Sequence, residues 1–178
     1  MKLGSIITAA EEVKSSSGYR NPEDLCAEAG IIPLLFPMGT AKRSIKGFIL
    51  SHNGNVAVTV NSDLPEDMRR VVWYHEFAHY ILHVKTGRME SIRDCDIYDA
   101  SSEAEYEANL LAAELQLGDD EVLEALRSTD NFYMAASELR VPPELLDFKM
   151  RLMREKGYRI PETPVQAAGS YLYSYEGA

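Results

Sequence analysis

The sequence is poor in cysteine and lacks long apolar runs. Its two cysteines, Cys26 and Cys95, have no metal-binding or redox spacing, so we expect reduced thiols and no disulfide framework. No stretch approaches the roughly 18 consecutive apolar residues of a transmembrane helix, and the N-terminus lacks the pattern of a secretory signal. These absences predict a cytoplasmic protein with no membrane association.

Positive charge is also scarce. Lys and Arg total 18 against 28 Asp and Glu, which gives a net charge of −10. Because neutralising phosphates requires clustered Lys and Arg, this balance argues against direct nucleic-acid binding. Residues 136–150 do have the rhythm of a helix-turn-helix DNA-binding module, but acidic and basic residues are balanced around them. A DNA-binding module is therefore the rival hypothesis from another functional class, and salt-sensitive binding to duplex DNA would support it.

The length of 178 residues fits one domain with a substantial core. We expect that domain to span residues 1–160, including a helical C-terminal piece at 131–157, and to be followed by a flexible tail at 161–178. In the first third of the chain, hydrophobic and turn patterns predict two helices and three strands, namely helices at 6–13 and 20–29 and strands at 31–36, 44–51 and 55–61. Asn53-Gly54 predicts a hairpin turn between the last two strands.

A long helix is predicted over residues 64–85, where Asp63, Pro65 and Glu66 form a capping signature. Its apolar residues surround most of the circumference, so this helix should be buried on several sides. A second helix is predicted from about residue 101 to Gly118, and shorter helices follow at 119–127, 131–140 and 143–156. The predicted fold class is α+β, with a small twisted, mainly antiparallel sheet packed on the buried long helix and a helical C-terminal portion.

The long predicted helix contains the run His75-Glu76-Phe77-Ala78-His79. Residues four apart lie on one helix face, so the two imidazoles can bind a single tetrahedral zinc ion. In an H-E-x-x-H arrangement the glutamate does not bind the metal but takes a proton from the metal-bound water. A buried helix would hold these polar groups only at considerable cost unless they were paired or metal-bound. The motif therefore predicts one Zn²⁺ ion, with Glu76 as the catalytic base in peptide-bond hydrolysis.

A catalytic zinc site needs a third protein ligand and one open position. His83 continues the four-residue spacing, but residues eight apart lie about 12 Å apart along a helix axis, too far to share the ion with both other histidines. We expect a carboxylate from the second helix instead, and Glu103, Glu105 and Glu107 all qualify by position. Asn109, one turn after Glu105, is placed to hydrogen-bond a ligating histidine. This favours Glu105 and leaves Glu107 as the alternative.

The run from His75 to His83, followed by the segment from Glu105 to Ala113, resembles the ImmA/IrrE family of small bacterial and phage zinc metallopeptidases. The resemblance covers residues 20–155 and implies a zincin-like fold, with two histidines and a glutamate of the Glu105 region as zinc ligands and Glu76 as base. It also implies a protein partner, namely a helix-turn-helix transcriptional repressor, often encoded nearby, as the substrate. Residues 116–118 replace the family's usual apolar-Met-Pro ending, which concerns the cleft rim and substrate choice rather than the ligands.

The same residues also suit a protein of another kind. A regulatory protein that binds zinc and sequesters a repressor without cleaving it would need the same ligands. Dependence of cleavage on Glu76 distinguishes the peptidase from the binding protein, since only the peptidase uses that carboxylate as a base.

Overall fold

A computed structural model describes residues 2–17, 21–41, 44–87, 102–169 and 171–174, so Cys95 lies outside the described residues. The elements in chain order are α1 (Leu3–Ser17), α2 (Pro22–Glu28), β1 (Ile31–Phe36), β2 (Gly47–His52), β3 (Asn55–Asn61), α3 (Glu66–His79), a π-helical turn (Tyr80–Val84), α4 (Ser102–Gln116), α5 (Asp119–Ser128), α6 (Phe132–Glu138), α7 (Pro143–Glu155) and α8 (Tyr171–Ser174). The predicted α+β class with a helical C-terminal portion is confirmed. No helix within the described residues is long and apolar enough to cross a membrane.

The three strands form one mixed sheet in the order β1-β3-β2. β2 and β3 are antiparallel and joined at Asn53-Gly54, where both residues have positive φ values of 49° and 79°, as a tight hairpin turn requires. β1 instead pairs with β3 in parallel, with Ile31 opposite Val56. The predicted hairpin is thus confirmed, and the added strand makes the sheet mixed.

One face of this sheet packs against α3. Ile49 of β2 and Val58 of β3 are register partners on that face, and both are buried. The opposite face carries exposed apolar side chains, including Ile32 and Leu50. The sheet therefore acts as a one-sided support that holds α3 in place.

α3 begins later than the sequence predicts. Pro65 is its N-cap residue, and no side chain caps the helix there. Asp63, the predicted capping residue, accepts a hydrogen bond from the backbone N–H of Gly39 at 2.7 Å instead. The capping prediction is wrong because the carboxylate is used to hold the loop after β1 rather than the helix end.

The C-terminal end of α3 widens into the π-helical turn. The backbone N–H of Lys85 donates a hydrogen bond to the carbonyl oxygen of Tyr80, five residues earlier in the chain, at 2.9 Å. His83 lies in this turn, and its Nε2 is 3.3 Å from the carbonyl oxygen of Ala104 on α4. A carbonyl only accepts, so His83 is the donor in this contact, which links the turn to the start of α4.

α4 packs against α3, α1 and α7, and its interface with α7 contains a buried ionic network. Lys149 is fully buried, with its Nζ 2.8 Å from Glu114 Oε2 and 2.5 Å from Asp119 Oδ1. Lys156 Nζ lies 2.6 Å from Glu114 Oε1. Burial alone would raise the pKa of Glu114, but the neighbouring lysines hold it below its usual range. The charges are tolerated inside the protein because they are paired.

The chain after α7 folds back onto the helices. Ala167, Tyr171 and Leu172 are buried, and the backbone N–H of Ala167 donates to Asp147 Oδ2 at 3.0 Å. We call residues 163–169 the C-terminal strap. This packing differs from the loose tail expected from the sequence, where a segment without periodicity gives no sign of its tertiary contacts.

Candidate metal centre

His75 and His79 lie one turn apart on α3, and Glu105 faces them from the first turn of α4. The two Nε2 atoms are 3.0 Å apart, and each lies 3.2 Å from a different oxygen of the Glu105 carboxylate. Two atoms bound to one tetrahedral ion at about 2.1 Å are separated by about 3.4 Å. The three side chains could therefore bind one metal ion after a small expansion.

The surroundings of these side chains also fit a metal site. All three are buried, with exposed fractions of 4–5%. The Nδ1 atoms of His75 and His79 are buried and have no hydrogen-bond partner among the described residues. Two imidazole nitrogens and one carboxylate oxygen form a donor set typical of zinc enzymes. Polar atoms at this depth are stable only when paired or bound to an ion, so the cluster fits a metal better than an empty core.

The charges of the cluster are strongly coupled. Burial would raise the pKa of Glu105, but hydrogen bonds and charge from the two histidines hold it well below its usual range. Burial lowers the pKa of His79 to about 4, against the opposing effect of Glu105. Burial also opposes protonation of His75, yet Glu105, with a smaller contribution from the Glu76 charge, raises its pKa. An ionised Glu105 and a neutral His79 are the protonation states that metal ligands need.

Glu76 lies in the same buried region but is not one of the three clustered ligands. Burial, with a smaller contribution from the Glu105 charge, raises its pKa to about 7 despite the opposing effect of His75. A carboxylate with this pKa can both accept and release a proton near neutral pH, which is the property of a general acid–base group.

Gly47, the first residue of β2, allows the sheet to approach this carboxylate. A Cβ atom at that position would lie 3.2 Å from Glu76 Oε1 and 2.5 Å from Val72 Cγ1. Val72 is a buried, β-branched residue with little freedom to move. Sequence reasoning missed Gly47, because a glycine at the start of a strand looks the same whether it makes a turn or a close approach.

The other candidate residues lie around the cluster. Glu107 is buried on α4 but is not part of the three-residue group, so the structure places Glu105 rather than Glu107 against the histidines. Asn109 is fully buried one turn after Glu105. His83 contacts Ala104, as described above. Burial raises the pKa of the Cys26 thiol to about 12, with smaller contributions from nearby carboxylates, so this cysteine is an inert core residue.

Comparison with known proteins agrees with this geometry. The family model described as the IrrE N-terminal-like domain, Peptidase_M78, matches residues 30–151, which include all the clustered side chains. No curated protein and no solved structure matches the chain. The family match supports a metallopeptidase-type function for a group of residues that could bind a metal. Because the match covers more than half of the sequence, the chain belongs to the Peptidase_M78 family.

Proposed function

We propose that this chain is a zinc-dependent endopeptidase in which His75, His79 and Glu105 bind one Zn²⁺ ion and Glu76 is the catalytic base. The observation that carries the proposal is the convergence of three buried side chains: the two histidine Nε2 atoms are 3.0 Å apart, and each lies 3.2 Å from one oxygen of the Glu105 carboxylate. The buried carboxyl group of Glu76, whose pKa is raised to about 7, lies in the same region. The donor set and the family support zinc as the metal.

The residues divide the chemistry between them. A bound zinc ion would supply a Lewis acid that polarises the scissile carbonyl and acidifies a water molecule. Glu76 takes the proton from the attacking water and passes it to the leaving amine. A nearby cation favours the ionised carboxylate, so Glu76 would be a proton acceptor over a wider pH range in the metal-bound protein. His75, His79 and Glu105 hold the ion, and their burial limits the access of bulk water.

The proposed substrate is a helix-turn-helix transcriptional repressor encoded nearby. The family membership supports this choice, because the resemblance implies repressors as substrates. Electrostatics also supports it. A DNA-binding repressor presents a basic surface to phosphates, and a chain with a net charge of −10 attracts such a partner.

The decisive experiment incubates the full, zinc-loaded chain with the repressor encoded beside it. Fragments are identified by mass spectrometry, and zinc content is measured in parallel. Cleavage is expected for the unchanged chain and for the matched control Glu107→Gln. In Glu76→Gln it should fall by about 10²–10⁴-fold with zinc retained, since only the base is removed.

Two outcomes would contradict the proposed peptidase mechanism. Equal cleavage by Glu76→Gln would remove Glu76 from the mechanism. A stable complex with the repressor and no cleavage by the unchanged chain would support the alternative, a zinc-containing regulatory protein that sequesters its partner. Casein serves as an unrelated substrate, and its rapid digestion would contradict a narrow specificity.

A further inference from the structure

Asn109 connects the metal centre to the C-terminal strap. Its Nδ2 donates a hydrogen bond to the carbonyl oxygen of Gly169 at 2.5 Å. Because a carbonyl oxygen only accepts, this contact determines which end of the amide carries the nitrogen. The other end, Asn109 Oδ1, is buried and has no hydrogen-bond partner among the described residues. The strap thus leaves a free, oriented acceptor inside the protein.

His75 has the donor that matches this acceptor. Its Nε2 faces Glu105 and His79, so Nδ1 is the nitrogen that carries the proton when Nε2 binds a metal. Nδ1 is buried and also lacks a hydrogen-bond partner among the described residues. Asn109 lies one helical turn after Glu105 on α4, and Glu105 Oε2 is 3.2 Å from His75 Nε2, so the amide lies on the side of α4 that faces this ring.

The strap is anchored to α7 by a buried carboxylate. Asp147 is 1% exposed, and it accepts hydrogen bonds from the backbone N–H of Ala167 at 3.0 Å and from the hydroxyl of Thr163. Arg151 donates both to Asp147 at 2.5 Å and to the carbonyl of Ala167 at 3.2 Å. The strap lies beyond the region matched by the family, residues 30–151, so the match gives it no role.

We propose that the C-terminal strap is part of the metal centre, because the Gly169 carbonyl holds Asn109 so that its Oδ1 accepts a hydrogen bond from His75 Nδ1. This inference rests on the proposed function of His75 as a ligand. Such a bond fixes the tautomer that leaves Nε2 free for the metal and raises the basicity of the ligand. Asn109 is then a positioning residue, and Arg151 acts through it by holding the strap.

Zinc affinity of the full chain, measured by competition with a chromogenic chelator, tests the inference. Asn109→Ala should weaken zinc binding by about 10–100-fold. Arg151→Met should weaken it to a smaller extent. The matched control is Arg154→Met, which removes a hydrogen bond to the carbonyl of Pro161, before the strap, and should leave zinc affinity unchanged. In the double variant Asn109→Ala/Arg151→Met, the Arg151 change should add nothing, because its effect passes through Asn109.

A second measurement follows the proton on His75 Nδ1 by NMR of the zinc-loaded protein. This proton should exchange slowly with solvent in the unchanged chain and in Arg154→Met, and faster in Arg151→Met. Thr163→Val removes one hydrogen bond between the strap and Asp147. It should therefore weaken zinc binding and speed the exchange of the His75 Nδ1 proton, as Arg151→Met does. It provides the decisive variant if Asn109→Ala does not fold.

The inference is overturned if Arg151→Met and Thr163→Val match the Arg154→Met control in both measurements. It is also overturned if the loss of zinc affinity in Arg151→Met is equally large in the Asn109→Ala background. Unchanged zinc binding by His75→Ala would be a different failure, because it would remove the proposed metal centre itself.

Discussion

Glu105 Oε2 lies 3.2 Å from His75 Nε2, although the two residues belong to different helices. The other oxygen of the same carboxylate lies at the same distance from His79. One side chain of α4 therefore bridges both histidines of α3 and ties the two helices together at the centre of the site. This bridge is the basis for the first prediction.

Glu105→Gln should reduce zinc affinity by more than the 10–100-fold typical of a change outside the ligand sphere, because it removes a charged ligand. Glu107→Gln, a change of the same chemistry two residues away, should retain one zinc per chain. Metal analysis of both purified variants checks this. If Glu107→Gln lost zinc and Glu105→Gln retained it, Glu107 rather than Glu105 would be the third zinc ligand.

Gly47→Ala should lower the free energy of unfolding by about 1–3 kcal/mol, since the added methyl group overpacks the contact with Val72. Urea denaturation measures the change. Val72→Ala removes the clashing methyl groups, so the cost of Gly47→Ala should be smaller in that background. Additive costs in the double variant would show that the close approach of β2 to α3 is unimportant for stability.

Glu114→Gln should destabilise the protein by about 3 kcal/mol at neutral pH, because it leaves the buried Lys149 and the partly buried Lys156 with one negative partner fewer. Glu114 has a depressed pKa in the folded protein, so its stabilising effect is present above the unfolded value of about 4.3 and is lost as the pH falls through the folded pKa. The difference in unfolding free energy between the two proteins should therefore shrink below about pH 4. Urea unfolding at several pH values with a chelator present measures it, and a difference that does not depend on pH would contradict the assignment.

His83→Phe should retain one zinc per chain and lose about 1 kcal/mol of unfolding free energy, because the hydrogen bond from His83 to the carbonyl of Ala104 is removed. Zinc analysis and thermal unfolding of the same sample separate the two effects. A loss of zinc stoichiometry without a loss of stability would make His83 a ligand.

Local signals in the sequence predicted much of this site. The spacing of His75 and His79 placed both on one helix face, and the Asn53-Gly54 turn predicted the hairpin that supports the helix. Asn109 was sufficient to favour Glu105 over Glu107. These features depend on residues a few positions apart, where helix and turn geometry leave few choices.

The features that the sequence did not reveal depend on distant contacts. The parallel pairing of β1 with β3 brings together segments with no shared local signal. Asp63 had a capping pattern, but a backbone N–H at Gly39 competes for its carboxylate. The packing of the strap depends on Asp147 and Arg151, whose spacing on α7 resembles an ordinary surface ion pair.

The π-helical turn after His79 has a consequence for comparing related chains. A π-helical turn holds about one more residue than an α-helical turn over the same path, and it corresponds to a single-residue insertion. A relative with a regular α-helix here should align with a one-residue gap between Tyr80 and Val84. Deleting one residue of this chain in that interval should convert the π-helical turn into a regular α-helical turn, and the residues after Val84 should keep their direction around the helix axis.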